Sequence, residues 1–569
     1  MASAPNDKPL DVEASAMWLD ENSATENMPS GPPSEPQGLS DQTRYVTKSK
    51  IIMIFLTCAS VDLVALMDQT TLAASLTLIS RALSSSANNA WISGAYFLTS
   101  TSFQLLYGRL SDIWSRKTVL LACIFLFFVG SLAASLAQTD TQLIAFRALT
   151  GVGGGGLMTL AQTIVSDVVS LRDRGKYQGI LGAVVAIANG IGPIVGASLS
   201  EINTQSWRWI FRLNLPLTAI STVAIVWMMP LKKVEGSWLF KLKAIDFTGA
   251  ILTLSASTSL VLALTWAGDQ YPWQSAAVIA PLVIGVALLA AFVLWEGIGP
   301  RYPLMPLHIF RSRLVIGACA TMFINGWLFV TQVYYIPAFF QLAYGLSPVI
   351  SGALLLPITL TQTISSTTSG LIVHWIGRYR ESIIVGWITW SIGLGLYSTL
   401  KPNQFEVGKA VGYGLLTGFG VGQTLQPSLI AIQAGVARQD MAVVTCTRNF
   451  VRNLGSTLGL AVAATLINST LRPDLTRLGL PVQEVINGPD TYLASLAAGN
   501  REEVRQAILS SYSQGFRRIF YLNAALSSLA VVVAWFMIPQ IGLDRQDDAA
   551  LKVQADEKSS KEGIVQRQA

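Results

Sequence analysis

Two carboxylates, Asp62 and Asp68, stand inside one long apolar stretch, and three cations stand inside two others: Arg147 in one, Arg448 and Arg452 in the second. An ionised side chain in mid-membrane costs about 2.5–3.5 kcal/mol on insertion scales, which makes each of these residues a functional candidate. As a helix, the six residues from Asp62 to Asp68 give about 600° of rotation and ~9 Å of rise. The two acids therefore point about 120° apart and do not form one acid pair. One is expected to face a central cavity and the other a neighbouring helix. Arg147 and Asp68 can neutralise each other and hold helices together, and a pair that breaks and re-forms would carry protons by the same residues. Burial raises a lone acid's proton affinity and a nearby Arg lowers it, so alternation between those settings is what proton coupling needs.

The remaining polar groups in apolar stretches are neutral. Asn189, Asn325, Gln332, the run Thr359 to Ser369, Gln423, Gln426 and Gln433 can hydrogen-bond between helices or line a cavity. Trp327, Tyr334, Tyr335, Phe339 and Phe340 lie near several of them. A lining of Asn189, Asn325, Gln332, Tyr335 and Gln423 among such aromatics suits an organic molecule better than a sugar or an inorganic ion; plain packing within a bundle is the other reading.

The elements that must position these groups are fourteen apolar stretches, near 51–74, 91–111, 118–137, 142–167, 178–200, 210–229, 247–266, 277–296, 315–340, 349–373, 382–400, 410–433, 442–467 and 519–540. About 20 apolar residues cross a bilayer as a helix, so the chain reads as an all-α integral membrane protein. Its composition agrees: 51% hydrophobic, 13% charged, mean hydropathy +0.48. Short connections on the side of the N-terminus hold sixteen Lys and Arg, and the opposite ones hold four. Positive loops stay in the cytoplasm, which places both termini there. The net charge of +6 sits beside membrane ends, where anionic headgroups explain it and nucleic acid does not.

Residues 1–47, rich in acids, Ser and Pro, and residues 542–569 read as disordered tails. The connection 468–518 reads as a long extracellular loop, and it opens on the sequon Asn468 to Thr470, a glycosylation acceptor usable on that side alone. Cys58, Cys123, Cys319 and Cys446 have no metal-like spacing and read as small packing residues. No phosphate-binding loop and no nucleophile beside a base is present, so the sequence points to neither ATP use nor an enzyme, and it calls for no cofactor or metal.

The string Gly108 to Lys117 joins the second and third stretches, with Asp112 four residues before Arg116, close enough to pair locally. It resembles the loop motif of the major facilitator superfamily, complete at Gly108, Leu110, Asp112, Arg116 and Lys117. A second copy at Gly370, His374, Gly377, Arg378 and Arg380, 262 residues on, puts His in place of the acid, and His374 reads as a solvated loop residue. The repeat implies two six-helix bundles, 48–230 and 301–541, with an inserted helix pair in 231–300.

Further strings resemble the 14-span drug:proton antiporter branch, similar to fungal toxin and multidrug efflux pumps. Met67 to Thr71 is similar to its first-span motif, although Thr77 stands where Pro is usual. Arg147 with Gly151, Gly153 and Gly154 is similar to its buried-Arg motif, with Thr150 in place of Gln. Gly190, Gly192, Pro193 and Gly196 resemble the motif associated with exporters, and Ala197 replaces its last Gly. Trp207 to Pro216 matches the entry to the sixth span, and Arg452 to Gly455 resembles the thirteenth.

The resemblance implies a monomeric proton-coupled antiporter that exports an apolar organic compound, such as a toxin, secondary metabolite or drug, across the plasma or vacuolar membrane. Its partners would be that small molecule, protons and the bilayer. Asp68 is the first candidate for proton coupling, with Arg147 as modulator and Asp62 second. Gly108, Asp112, Arg116 and Lys117 would form the cytoplasmic gate, and the glycines of the fifth span would seal it against the opposite half. An importer or vacuolar carrier of siderophores or amino acids would use the same fold, as would a sensor that no longer moves substrate.

Overall fold

The apolar stretches fold as helices because a chain in hydrocarbon must satisfy its backbone polar groups internally; the stretch 349–373 is the exception to one helix each, broken by a turn between Pro348–Ala353 and Leu356–Ile376. The computed structural model describes residues 48–83, 89–200, 205–229, 238–267, 271–300, 302–401, 405–487, 492–493, 495–496 and 501–543, so tail 1–47 and nearly all of tail 542–569 lie outside the described residues. Fourteen long helices follow: α1 (Lys48–Ala82), α2 (Asn89–Ile113), α3 (Arg116–Leu136), α4 (Asp140–Val168), α5 (Leu171–Ser200), α6 (Arg208–Met228), α7 (Phe247–Trp266), α8 (Ala276–Ile298), α9 (Arg313–Tyr344), α10 (Leu356–Ile376), α11 (Arg380–Tyr397), α12 (Val407–Ala434), α13 (Met441–Arg477) and α14 (Glu502–Met537).

Among the described residues, nine of these helices are long and apolar enough to cross a membrane by composition alone. The others are α2, α5, α10, α11 and α12. Four of these five pack across the two halves: α2 on α13, and α5 on α10 and α12. A helix wedged between bundles shows less surface to lipid and tolerates the Ser, Thr, Gln and Gly that lower its hydropathy. The opposite extreme is α8, whose buried residues Val278, Gly285, Phe292 and Glu296 form one stripe. Val283, Ile284, Val286, Leu294 and Ile298 around it are exposed apolar side chains, as a lipid-facing helix requires.

Helices α1–α6 pack among themselves, as do α9–α14, and the α7–α8 pair rests on α2 and α13. Glycine sets the closest approaches. A Cβ on Gly153 would stand 2.6 Å from Phe127 N, and one on Gly154 would stand 2.7 Å from Tyr96 Cζ, so α4 is wedged between α3 and α2 without room for side chains. Gly377 ends α10 at φ 76°, a left-handed conformation that favours glycine, and its N–H donates to Val373 O.

The expected loop 468–518 is largely helical. Helix α13 runs on to Arg477, a short helix covers Val482–Asn487, and α14 begins at Glu502. Leu471, Leu475, Val485, Ile508, Tyr512 and Phe516 bury their side chains with Phe339 and Phe340. Charged residues between those apolar ones, such as Arg472, Asp474 and Arg505, mask the helical spacing from a hydropathy reading. Asn468 falls inside α13 and is 9% exposed. A glycan needs that amide in solvent, so the helix argues against occupancy of the sequon.

Candidate transport pathway and gate

Asp68 and Arg147 meet at the heart of the first six helices. Arg147 Nη1 donates to Asp68 Oδ2 at 2.7 Å, and both side chains are sealed from solvent. Asn214 Nδ2 of α6 donates to the other carboxylate oxygen at 2.7 Å. The guanidinium lies over the Tyr96 ring at 4.5 Å and sends Nε to Ile92 O at 3.4 Å. Four helices thus meet at this pair: α1 carries the carboxylate, α4 and α6 donate to it, and α2 sets an aromatic face and a carbonyl against the guanidinium. Asn214 belongs to the string from Trp207 to Pro216, but nothing in the sequence assigned it to Asp68. Asp62 is also buried, and its Oδ1 has no hydrogen-bond partner among the described residues.

At the end that carries the basic loops, Arg116 sits between two acids. Its Nη1 donates to Asp112 Oδ1 at 2.5 Å and its Nε to Asp167 Oδ2 at 2.8 Å, and all three side chains are buried. Asp167, the last acid of α4, is a partner of Arg116 that sequence spacing missed. Arg109 Nε donates to Pro303 O at 2.5 Å, and Lys117 Nζ donates to Val226 O and Met229 O.

Gly108 carries the seal between the halves. A Cβ on it would stand 2.9 Å from Cys446 Sγ of α13. Nearby, Gln433 Nε2 donates to Ser166 Oγ at 3.0 Å, Arg174 Nη1 donates to Gln433 Oε1 at 3.1 Å, and Arg172 Nε donates to His374 O at 3.1 Å. His374 is therefore no isolated loop residue: its Nδ1 lies 3.4 Å from Asp173 Oδ1 in the other half. Further in, Asn449 Nδ2 donates to Gln162 Oε1 at 3.1 Å and Asn453 Nδ2 to Gln104 Oε1 at 3.2 Å. These contacts close the basic end. Asp112→Ala removes one of the two anions that hold Arg116 and is expected to shift the open–closed balance by about 1–3 kcal/mol. Alkylation of Cys446 in the purified protein, followed by peptide mass, should then speed up by about 5–150-fold; an unchanged rate would place the gate elsewhere.

The profile of the Major Facilitator Superfamily matches residues 58–460. The chain belongs to that superfamily. Citrate exporter 1 of Yarrowia lipolytica is 32% identical over 92% of this chain and 77% of its own length. The MFS-type efflux pump LUC4 of a Fusarium species is 30% identical over 95% and 96%. Among solved structures, the proton:xylose symporter XylE superposes with a TM-score of 0.54 at 13% identity, covering 89% of this chain and 99% of its own, a likeness of fold alone. As a major facilitator this chain is a multi-pass membrane transporter.

Seen in this facilitator fold, the expected cavity residues divide. Gln423 Nε2 donates to Ser365 Oγ at 3.0 Å and ties α12 to α10, so it serves packing. Phe339 and Phe340 are fully buried in the bundle core, and Trp327 Nε1 donates to Asn523 Oδ1 at 3.1 Å. Tyr335 Oη donates to Leu460 O at 3.3 Å. Asn325, buried on α9, donates from Nδ2 to Thr424 Oγ1 of α12 at 3.0 Å; Gln332, buried on the same helix, has no partner for either amide atom among the described residues. The side chains of Asn189, Gly190 and Pro193 lie outside the described residues. Gly192 and Gly196 do not press on the opposite half as expected. They face Thr70 and Thr71 of α1, within three residues of Asp68.

Proposed function

We propose that this transporter is a proton-coupled antiporter that exports a mainly apolar organic compound across the plasma membrane, as a monomer with both termini in the cytoplasm. The observation that carries the reading is the sealed Asp68–Arg147 pair at 2.7 Å between α1 and α4. A proton taken up by Asp68 cancels the charge that holds Arg147 and loosens α1 from α4; its loss re-forms the pair. Asp62 is the second proton site, since a proton there displaces no cation from Oδ1.

The positive loops support a cytoplasmic basic end, so the closed contacts there belong to a state that opens outward. Bundles 48–230 and 301–541 would rock about the seam, with the pair in 231–300 resting on α2 and α13. Relatives named as efflux pumps and as a citrate exporter support the outward direction. Cells that express the chain are expected to retain less of at least one member of a panel of aromatic compounds, neutral and charged, than control cells, and a protonophore should restore the content. Accumulation that ignores the proton gradient would overturn the reading.

A further inference from the structure

Arg448 and Arg452 lie one turn apart on α13, so their side chains share a face, and their like charges repel. Neither forms an ion pair with a carboxylate among the described residues. Arg147 and Arg116, buried as Arg448 is, each hold an acid at 2.8 Å or less. Arg448 is 4% exposed and donates from Nη1 to Asn449 Oδ1 and from Nη2 to Leu425 O, both at 2.9 Å, while its buried Nε has no partner among the described residues. Arg452 is half-buried and donates from Nε to Asn325 Oδ1 at 2.9 Å; its guanidinium lies 5.1 Å from the Phe329 ring. A guanidinium has five N–H donors and stays charged, so most of this donor capacity is unspent.

Two adjacent cations held in a membrane protein without an anion are costly, and no such cost is needed for packing. Asn449 and Asn453, on the adjoining face of the same helix, reach Gln162 and Gln104 across the seam between halves. The arginines thus stand where α9, α12 and α13 meet that seam. Asn325, Phe329 and Gln332, spaced four and three residues apart, form one stripe of α9 that leads away from Arg452 for ~10 Å. That stripe ends on the amide whose oxygen and nitrogen both lack partners among the described residues.

We propose that Arg448 and Arg452, with Asn325, recognise the anionic end of the transported compound, a carboxylate or equivalent oxyanion. The apolar body of the compound then lies along Phe329, and a neutral polar group at its far end pairs with Gln332. The planar fork of each guanidinium matches a carboxylate, and binding cancels the charge that the bundle leaves uncompensated. This rests on the transporter reading and narrows its substrate to organic anions.

The test measures binding to the full-length protein in nanodiscs, with no gradient and no flux. The probes are 4-phenylbutyrate and its neutral amide, 4-phenylbutyramide, at pH 8 and fixed ionic strength. The acid is expected to bind at least about tenfold more tightly than the amide, a difference of about 1.4 kcal/mol. Arg448→Gln and Arg452→Gln should each remove that preference, and Arg452→Lys should keep part of it, with unfolding temperatures recorded for each. Equal binding of acid and amide by the wild type, or no binding of the acid, overturns the proposal without recourse to any variant. So does displacement of the acid by chloride or phosphate at equal concentration, which would mark a resident inorganic ion. A protein that prefers the acid but lowers no cellular content would sink the exporter reading alone.

Discussion

Asp68→Asn is expected to lower stability by about 3–5 kcal/mol and to abolish export. The substitution leaves the Arg147 guanidinium sealed among α1, α2, α4 and α6 with no anion, and an uncompensated buried charge costs far more than the intact pair contributes. The Asn214 amide loses its carboxylate acceptor in the same step. Adding Arg147→Gln removes the orphaned charge, so the double variant should recover most of the lost stability while remaining unable to export. Unfolding of the four proteins of the cycle measures the coupling, and efflux from cells measures the function. Substrate binding should survive in all four, because Arg448, Arg452 and Asn325 belong to the other half. A single variant as stable as the wild type would mean that the pair adds nothing to the fold, and export that persists with its pH dependence would remove Asp68 from proton coupling.

What the sequence made legible here follows from what a bilayer demands. Helix α7 begins and ends where its apolar run does, because hydrocarbon thickness and backbone satisfaction leave little choice. Helices α13 and α14 exceed their apolar runs because they leave the bilayer, and outside it packing against Phe339 and Phe340 decides, which hydropathy does not register. Asp112 with Arg116 was readable because the pair is local; Asp167, 51 residues from Arg116, was not, because nothing in a single chain marks which distant acid a cation meets. The solitude of Arg448 and Arg452 was hidden for the same reason. Their depth was visible, but the absence of a carboxylate beside them among the described residues is a fact of three helices at once. Gly192 and Gly196 of α5 announced a close contact and not its partner, which is α1.

That contact supplies the second large effect. A Cβ on Gly196 would stand 2.8 Å from both Cα and C of Thr71 and would overlap its carbonyl oxygen, and a helix backbone has no rotamer with which to yield. Gly196→Ala must therefore push α5 and α1 apart, at a cost of about 1–3 kcal/mol, the usual range for overpacking. The displaced segment of α1 is the turn after Asp68, so the pair with Arg147 is strained at its carboxylate end and the proton cycle is disturbed with it. Gly192 meets the Thr70 side chain, whose Oγ1 also donates to Ala188 O at 3.2 Å, so Gly192→Ala breaks a bond between the same two helices. Gly412→Ala is the control: no atom of the described residues lies within 4 Å of a Cβ there, and replacing a helical glycine with alanine should stabilise by about 0.4–1 kcal/mol. Unfolding and efflux measured together should place Gly196→Ala well below the wild type in both and Gly412→Ala at or above it in stability. Equal behaviour of the two would mean that α1 and α5 separate freely, and then the glycines of α5 could not be what holds Asp68 in register with Arg147.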